Sequence, residues 1–124
     1  ERIACIIENA ISLRQNIAIN QSTQSSLDKP NETSISKKLH VFLSRISTKL
    51  ISYGFYKILI LIGGDTAHTV LQTASIKEIA VIEEILPGTA VSLPLMQNNK
   101  FKIITKSGGF GDEQHISDLI SKLL

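Results

Sequence analysis

Apolar residues recur at helical spacing from the first turn of the chain. Ile3, Ile6, Ile7, Ala10 and Ile11 predict a helix over residues 1 to about 15. Arg14 would lie in its last turn, where a cation suits the negative helix end, and Asn16 would take the left-handed cap position. "IAIN", Ile17 to Asn20, then reads as a short strand, and the polar stretch Gln21 to Ser34, which holds Pro30, as a surface loop. Leu39, Phe42, Leu43, Ile46 and Leu50 give a second helix from Ser36 to about Leu50, with Gly54 marking its end. "KILILI", Lys57 to Ile62, is a continuous apolar run of strand length, the pattern of a strand covered on both faces. Ala67, Val70, Leu71 and Ala74 give a third helix directly after it.

"EIAVIEEI", Glu78 to Ile85, reads as a strand, Pro87-Gly88 as a turn, and "TAVSLPLM", Thr89 to Met96, as extended or irregular. "FKIIT", Phe101 to Thr105, is another strand. Ile116, Leu119, Ile120, Leu123 and Leu124 form the stripe of a closing helix. Strands alternating with helices predict an α/β fold, with helices layered on a mainly parallel sheet, as a single domain over residues 1–124.

Composition narrows the function classes. The 124 residues are enough to bury a core, and an apolar fraction of 43% excludes a disordered chain. Thirteen basic residues nearly balance eleven acidic ones, with no dense basic run and few aromatics to stack on bases, so nucleic acid is not an expected partner. The longest apolar run, Ile58 to Ile62, is too short to span a bilayer, and no secretory signal pattern is visible. A single cysteine, Cys5, rules out an internal disulfide and fits a reducing cytoplasm.

Candidate chemistry gathers at two strand–glycine–helix junctions. The first is "ILILIGGDTAHTV", with Gly63, Gly64, Asp65 and Thr66 between strand and helix. The second is "IITKSGGFGDEQHI", with Lys106, Ser107, Gly108, Gly109 and Gly111. Helix starts offer unpaired amide hydrogens and partial positive charge, and glycine amides add anion-binding concavities, so a phosphate is the natural ligand. Lys106 could supply a point charge, and the Thr66 and Ser107 hydroxyls could donate to phosphate or ligate its magnesium.

Each junction also has a plain structural reading. Gly-Gly before a helix serves as a tight connection, Asp65 or Thr66 as the N-cap of the third helix, and Asp112 as that of the last. Neither the Walker A spacing nor Gly-x-Gly-x-x-Gly is present. His40, His68 and His115 do not pair at metal spacing; His68 and His115 follow the glycine loops and are expected to be partly exposed. Cys5 is expected as a small core residue, and Glu83-Glu84 as a solvated pair at a strand end.

"GGDTAHTVL", "EIAVIEEILPGTA" and "KSGGFGDE", in this order and spacing, resemble the C-terminal domain of the four-carbon acid sugar kinase family. The resemblance covers essentially the whole chain and extends to "AISLRQNIAINQST", where Asn16 replaces a glycine. Asp65 stands where the family more often has glutamate, and Thr89-Ala90 where it has a small apolar residue and proline. The resemblance implies that Gly63, Gly64, Asp65, Thr66 and the loop from Lys106 to Gly111 line a site for ATP or ADP with magnesium. It also implies that a separate N-terminal domain holds the sugar acid, so that the 124 residues are the C-terminal part of a longer two-domain kinase and inactive alone. A chain that opens at Glu1 rather than methionine fits that expectation. No catalytic base and no resident metal site is assigned, membrane binding is not expected, and a homo-oligomer is compatible with the reading. The alternative is a non-catalytic module of the same fold that binds a nucleotide, an anion or a partner.

Overall fold

The computed structural model describes residues 2–19, 32–54, 56–95 and 101–124. Two compact units emerge, Glu1–Glu32 and Thr33–Leu124.

In the first unit, α1 spans Arg2–Ser12, with Ile7 and Ile11 buried one turn apart. Cys5 falls off this line and is exposed, so it is not the core residue that composition suggested. The left-handed cap is Arg14 (φ 53), not Asn16. Its amide donates to the Ile11 carbonyl, and the Gln15 amide to that of Ala10, which closes a Schellman motif two residues before the expected position. Among the described residues, 17–19 pair in no strand, while Asn20, the last residue of the expected strand, and residues 21–31 of the expected loop lie outside the described residues.

The second unit opens with α2, Glu32–Ser52, which begins one turn earlier than its apolar stripe. Gly54 (φ 72) ends it, as expected. β1 (Ile58–Ile62), α3 (Gly64–Thr73), β2 (Ile79–Leu86), β3 (Thr89–Pro94), β4 (Lys102–Lys106) and α4 (His115–Leu123) follow. The strands form one sheet in the order β1-β4-β3-β2.

The sheet is mixed, not mainly parallel. Among the described residues only β1 and β4 run parallel, while β3 is antiparallel to both β4 and β2. The cause is the Pro87-Gly88 turn, because two residues can only reverse a strand, and Gly88 takes the left-handed φ of 71 that such a turn requires. "TAVSLP" is thereby recruited as a regular inner strand.

Helices cover both faces of the sheet. Leu61, Ala67, Val70, Ile76, Phe101 and Ile103 form the core on the α3 side. Val91, Ile104 and Leu119 form it on the α4 side, with Ile58, Ile85, Leu86 and Leu123 around them. β1 is an edge strand among the described residues, and Ile60 and Ile62 remain exposed. Among the described residues the cover on its two faces is therefore partial, with Leu59 and Leu61 packed on the α3 side and Ile58 on the α4 side. α4 buries Leu119 fully but leaves Ile120 and Leu124 exposed, so its packed stripe is narrower than the sequence implied. No helix among the described residues is long and apolar enough to cross a membrane.

Candidate functional site

The parallel register places Ile62 opposite Lys106, so β1 and β4 deliver their glycine loops to the same end of the sheet. The Gly63 amide donates to the Lys106 carbonyl at 2.9 Å. A β carbon on Gly108 would stand 3.6 Å from the Gly63 Cα, so the two loops lie in contact. Two junctions far apart in sequence form one surface.

In the first loop Gly63 is the N-cap of α3, at φ 97 and ψ 135, a region open essentially to glycine alone. Its carbonyl accepts the Ala67 amide at 3.0 Å. Neither Asp65 nor Thr66 is the N-cap, and no side chain supplies a capping hydrogen bond. Among the described residues the amides of Gly64, Asp65 and Thr66 find no acceptor, as the first donors of a helix do. The exposed Asp65 carboxylate and the Thr66 hydroxyl stand beside them. His68 is exposed farther along α3, as expected.

The second loop is more tightly built than its glycines suggest. Lys106 is buried, and its ammonium donates to the Ser107 carbonyl at 2.9 Å, with no carboxylate paired to it among the described residues. A buried cation held by one neutral acceptor retains a strong attraction for an anion. The Ser107 amide donates to the Gly88 carbonyl at 3.1 Å, which ties the loop to the β2–β3 turn. The Ser107 carbonyl also accepts the Phe110 amide at 3.3 Å. The half-exposed Phe110 ring lies against Gly88, where a β carbon would approach it to 2.8 Å. Glu84 accepts the Gly88 amide at 2.8 Å and so braces the turn; Glu83 and Glu84 are both exposed, as expected of a solvated pair, but they lie within β2 and not at a strand end.

Of the loop's three glycines, only Gly111 is left-handed, at φ 90. Gly109 has no positive φ and a β carbon there would meet nothing within 4 Å, and the same holds for Gly64. Asp112 accepts the Gln114 amide at 3.0 Å in the turn before α4 and is not the N-cap of that helix, which is Gln114.

His115 is the main feature that sequence reasoning missed. It is buried, not partly exposed, and its Nε2 lies 2.7 Å from the Thr89 hydroxyl. The signal was present in the spacing: His115 stands one turn before Leu119, on the line that packs against the sheet. His40, in α2, is remote in sequence from both loops and uses its carbonyl to accept the Ser44 hydroxyl. Among the described residues no three His, Cys, Asp or Glu side chains gather as a metal site.

A family model described as "nucleotide-binding C-terminal domain" matches residues 3–116. The chain belongs to this family. Its membership bears out the resemblance drawn from the three motifs, and with it nucleotide binding as the family's defining property. Two solved structures share the fold. The Haemophilus influenzae protein HI1011, of the DUF1537 family, superposes with a TM-score of 0.77 at 20% identity, over 98% of this chain and 31% of its own. A Salmonella typhimurium LT2 protein, provisionally named a tRNA synthase, gives 0.71 at 21% identity, over 93% of this chain and 30% of its own. The chain thus spans about a third of the length of these neighbours. Among curated proteins no sequence relative is detectable.

Proposed function

We propose that the two apposed glycine loops hold the phosphates of ATP or ADP. The chain would then be the nucleotide-binding half of a kinase that phosphorylates four-carbon sugar acids of the erythronate and threonate type. The observation that carries this reading is the bond from the Gly63 amide to the Lys106 carbonyl, which makes one surface of two loops. That surface has three unpaired helix-start amides on one side and a buried ammonium on the other. Gly64 and Gly109 add to it. Neither needs glycine for its own backbone or neighbours, so close approach of a ligand to the main chain is the remaining reason for the residue type.

In this reading Gly63, Gly64, Asp65 and Thr66 receive phosphate oxygens on their side of the cradle. Ser107, Gly108, Gly109 and Gly111 form the other wall, and Lys106 balances charge from beneath. Phosphoryl transfer is mainly positioning and charge neutralisation, which is what such a cradle supplies. An exposed carboxylate, two hydroxyls and phosphate oxygens form an all-oxygen donor set, and this fits magnesium, a hard cation usually held by one or two carboxylates plus substrate phosphates. Asp65, Thr66 and Ser107 would hold it, and it would neutralise charge on the transferred group. The sugar acid and the base acting on its hydroxyl are assigned to a separate domain.

The test is titration of MgADP into isotope-labelled protein. The amide signals of Gly63, Gly64, Gly108 and Gly109 are expected to move more than those of β2 or α4. Saturating nucleotide that moves none of them would remove this site.

A further inference from the structure

We infer that Thr89 and His115 are a positioning pair that closes the second glycine loop at its base. The loop leaves β4 at Lys106 and re-enters regular structure at His115, the first residue of α4. Thr89 holds both ends. Its backbone stands opposite Lys106 in the β3–β4 ladder, and its hydroxyl meets the His115 Nε2 at 2.7 Å. Thr89 is fully buried and His115 nearly so, at 0% and 8% exposure, so water does not compete freely for this contact. A threonine hydroxyl both donates and accepts, so the contact is satisfied in either imidazole tautomer.

The rest of the His115 ring shapes the loop directly. It lies against the Gly111 backbone, where a β carbon would overlap the ring atoms, and Gly111 takes its left-handed turn around it. The turn preceding Thr89 braces the loop's other flank, through the Gly88 carbonyl on the Ser107 amide and Gly88 beneath the Phe110 ring. One buried hydrogen bond thereby connects the loop's start, its left-handed exit and the β2–β3 turn. Neither side chain is placed against a ligand; both act through the backbone they hold.

The pair's effect on loop order stands on this geometry alone, whereas its effect on nucleotide affinity rests on the proposed function. The experiment keeps the two apart, using all 124 residues. Amide exchange at Ser107 and Phe110 is measured by NMR in Thr89→Val, His115→Phe and His115→Gln, alongside MgADP affinity by calorimetry. Thr89→Val keeps the volume and removes the hydroxyl, and His115→Phe keeps a ring without its nitrogens. Both are expected to speed exchange at these two amides, and to weaken MgADP, by about fivefold to tenfold, the worth of one hydrogen bond. His115→Gln, whose amide reaches the position of Nε2, is expected to recover most of both losses.

Loop exchange that is unchanged in Thr89→Val would overturn the pairing, as would exchange raised equally across the whole sheet, the mark of a merely structural contact. Should His115→Phe fail to fold, Thr89→Val decides. If the unaltered protein binds no MgADP while loop exchange responds as expected, the positioning role stands and the nucleotide reading falls. A loosened loop with undiminished MgADP affinity would overturn the pair's role in binding.

Discussion

The Gly63 amide and the Lys106 carbonyl, 2.9 Å apart, join the ends of two parallel strands. This single bond turns two separate glycine loops into one surface. It also fixes Gly63 at a φ of 97, because the chain must turn from the strand into α3 while its amide still points at β4.

Adjacent glycines should therefore answer differently to the same substitution. Gly63→Ala meets a backbone region that side chains rarely adopt and is expected to cost about 1–3 kcal/mol of stability. Gly64→Ala sits at an ordinary φ in the first turn of α3 with open space around it, and is expected to be neutral or to stabilise by up to about 1 kcal/mol. Its methyl group would nonetheless stand among the unpaired amides and is expected to weaken MgADP by about tenfold or more. Urea titration and calorimetry on both variants check this. Loss of stability without loss of affinity in Gly64→Ala would mean that the surface is only a connection.

Burial changes what a test of Lys106 must look like. Truncation to alanine would open a cavity as well as remove a charge, so Lys106→Met is the informative variant, since it keeps most of the aliphatic volume. It is expected to leave stability unchanged or higher, because a buried ammonium with one carbonyl partner is costly to hold. MgADP affinity is expected to fall by about 1.5–3 kcal/mol, the usual worth of a charge-assisted hydrogen bond. Equal affinity in Lys106→Met and the parent would remove Lys106 from the site.

Periodicity made β1, α3, β4 and α4 legible as elements, because each is a local run of one period, although β1 and α4 leave part of their apolar surface exposed. The mixed sheet was not, since "TAVSLP" carries a proline and a serine and gains its strand identity only from neighbours on both sides. Pro87-Gly88 did announce the reversal, but a turn does not say which strands lie beside it. The same limit applies to His115 and Cys5. Their residue types suggest the opposite of what was found, and only their angular position relative to Leu119 and to Ile7–Ile11 decides burial. The nucleotide loops could be read as two junctions, while their contact depended on a parallel register that only the fold supplies.

Gly111 and His115 offer a double-mutant cycle on the loop's exit. Gly111→Ala combines a left-handed φ with overlap against the His115 ring, and is expected to cost roughly 2–4 kcal/mol. Adding His115→Ala removes the overlap but not the φ strain, so the double variant is expected to lose less than the sum of the single losses, by about 1–2 kcal/mol. Additive losses in chemical denaturation would show that the ring does not limit this turn.

The 124-residue chain is expected to bind MgADP yet to transfer no phosphoryl group by itself. The solved structures with its fold are about three times longer, and the proposed reaction needs an acceptor hydroxyl held in line with the nucleotide. Neither the cradle nor the elements around it is assigned a sugar-acid pocket or a base. Without them the acceptor must arrive from solution, and the gain from holding both reactants in place is lost. A coupled ADP-release assay with erythronate- and threonate-type acids checks this on the chain alone and on a two-domain protein that contains it. Turnover by the chain alone would overthrow the division of labour between two domains. Nucleotide binding with no turnover by the two-domain protein, across the whole substrate class, would transfer the reading to a non-catalytic nucleotide-binding module.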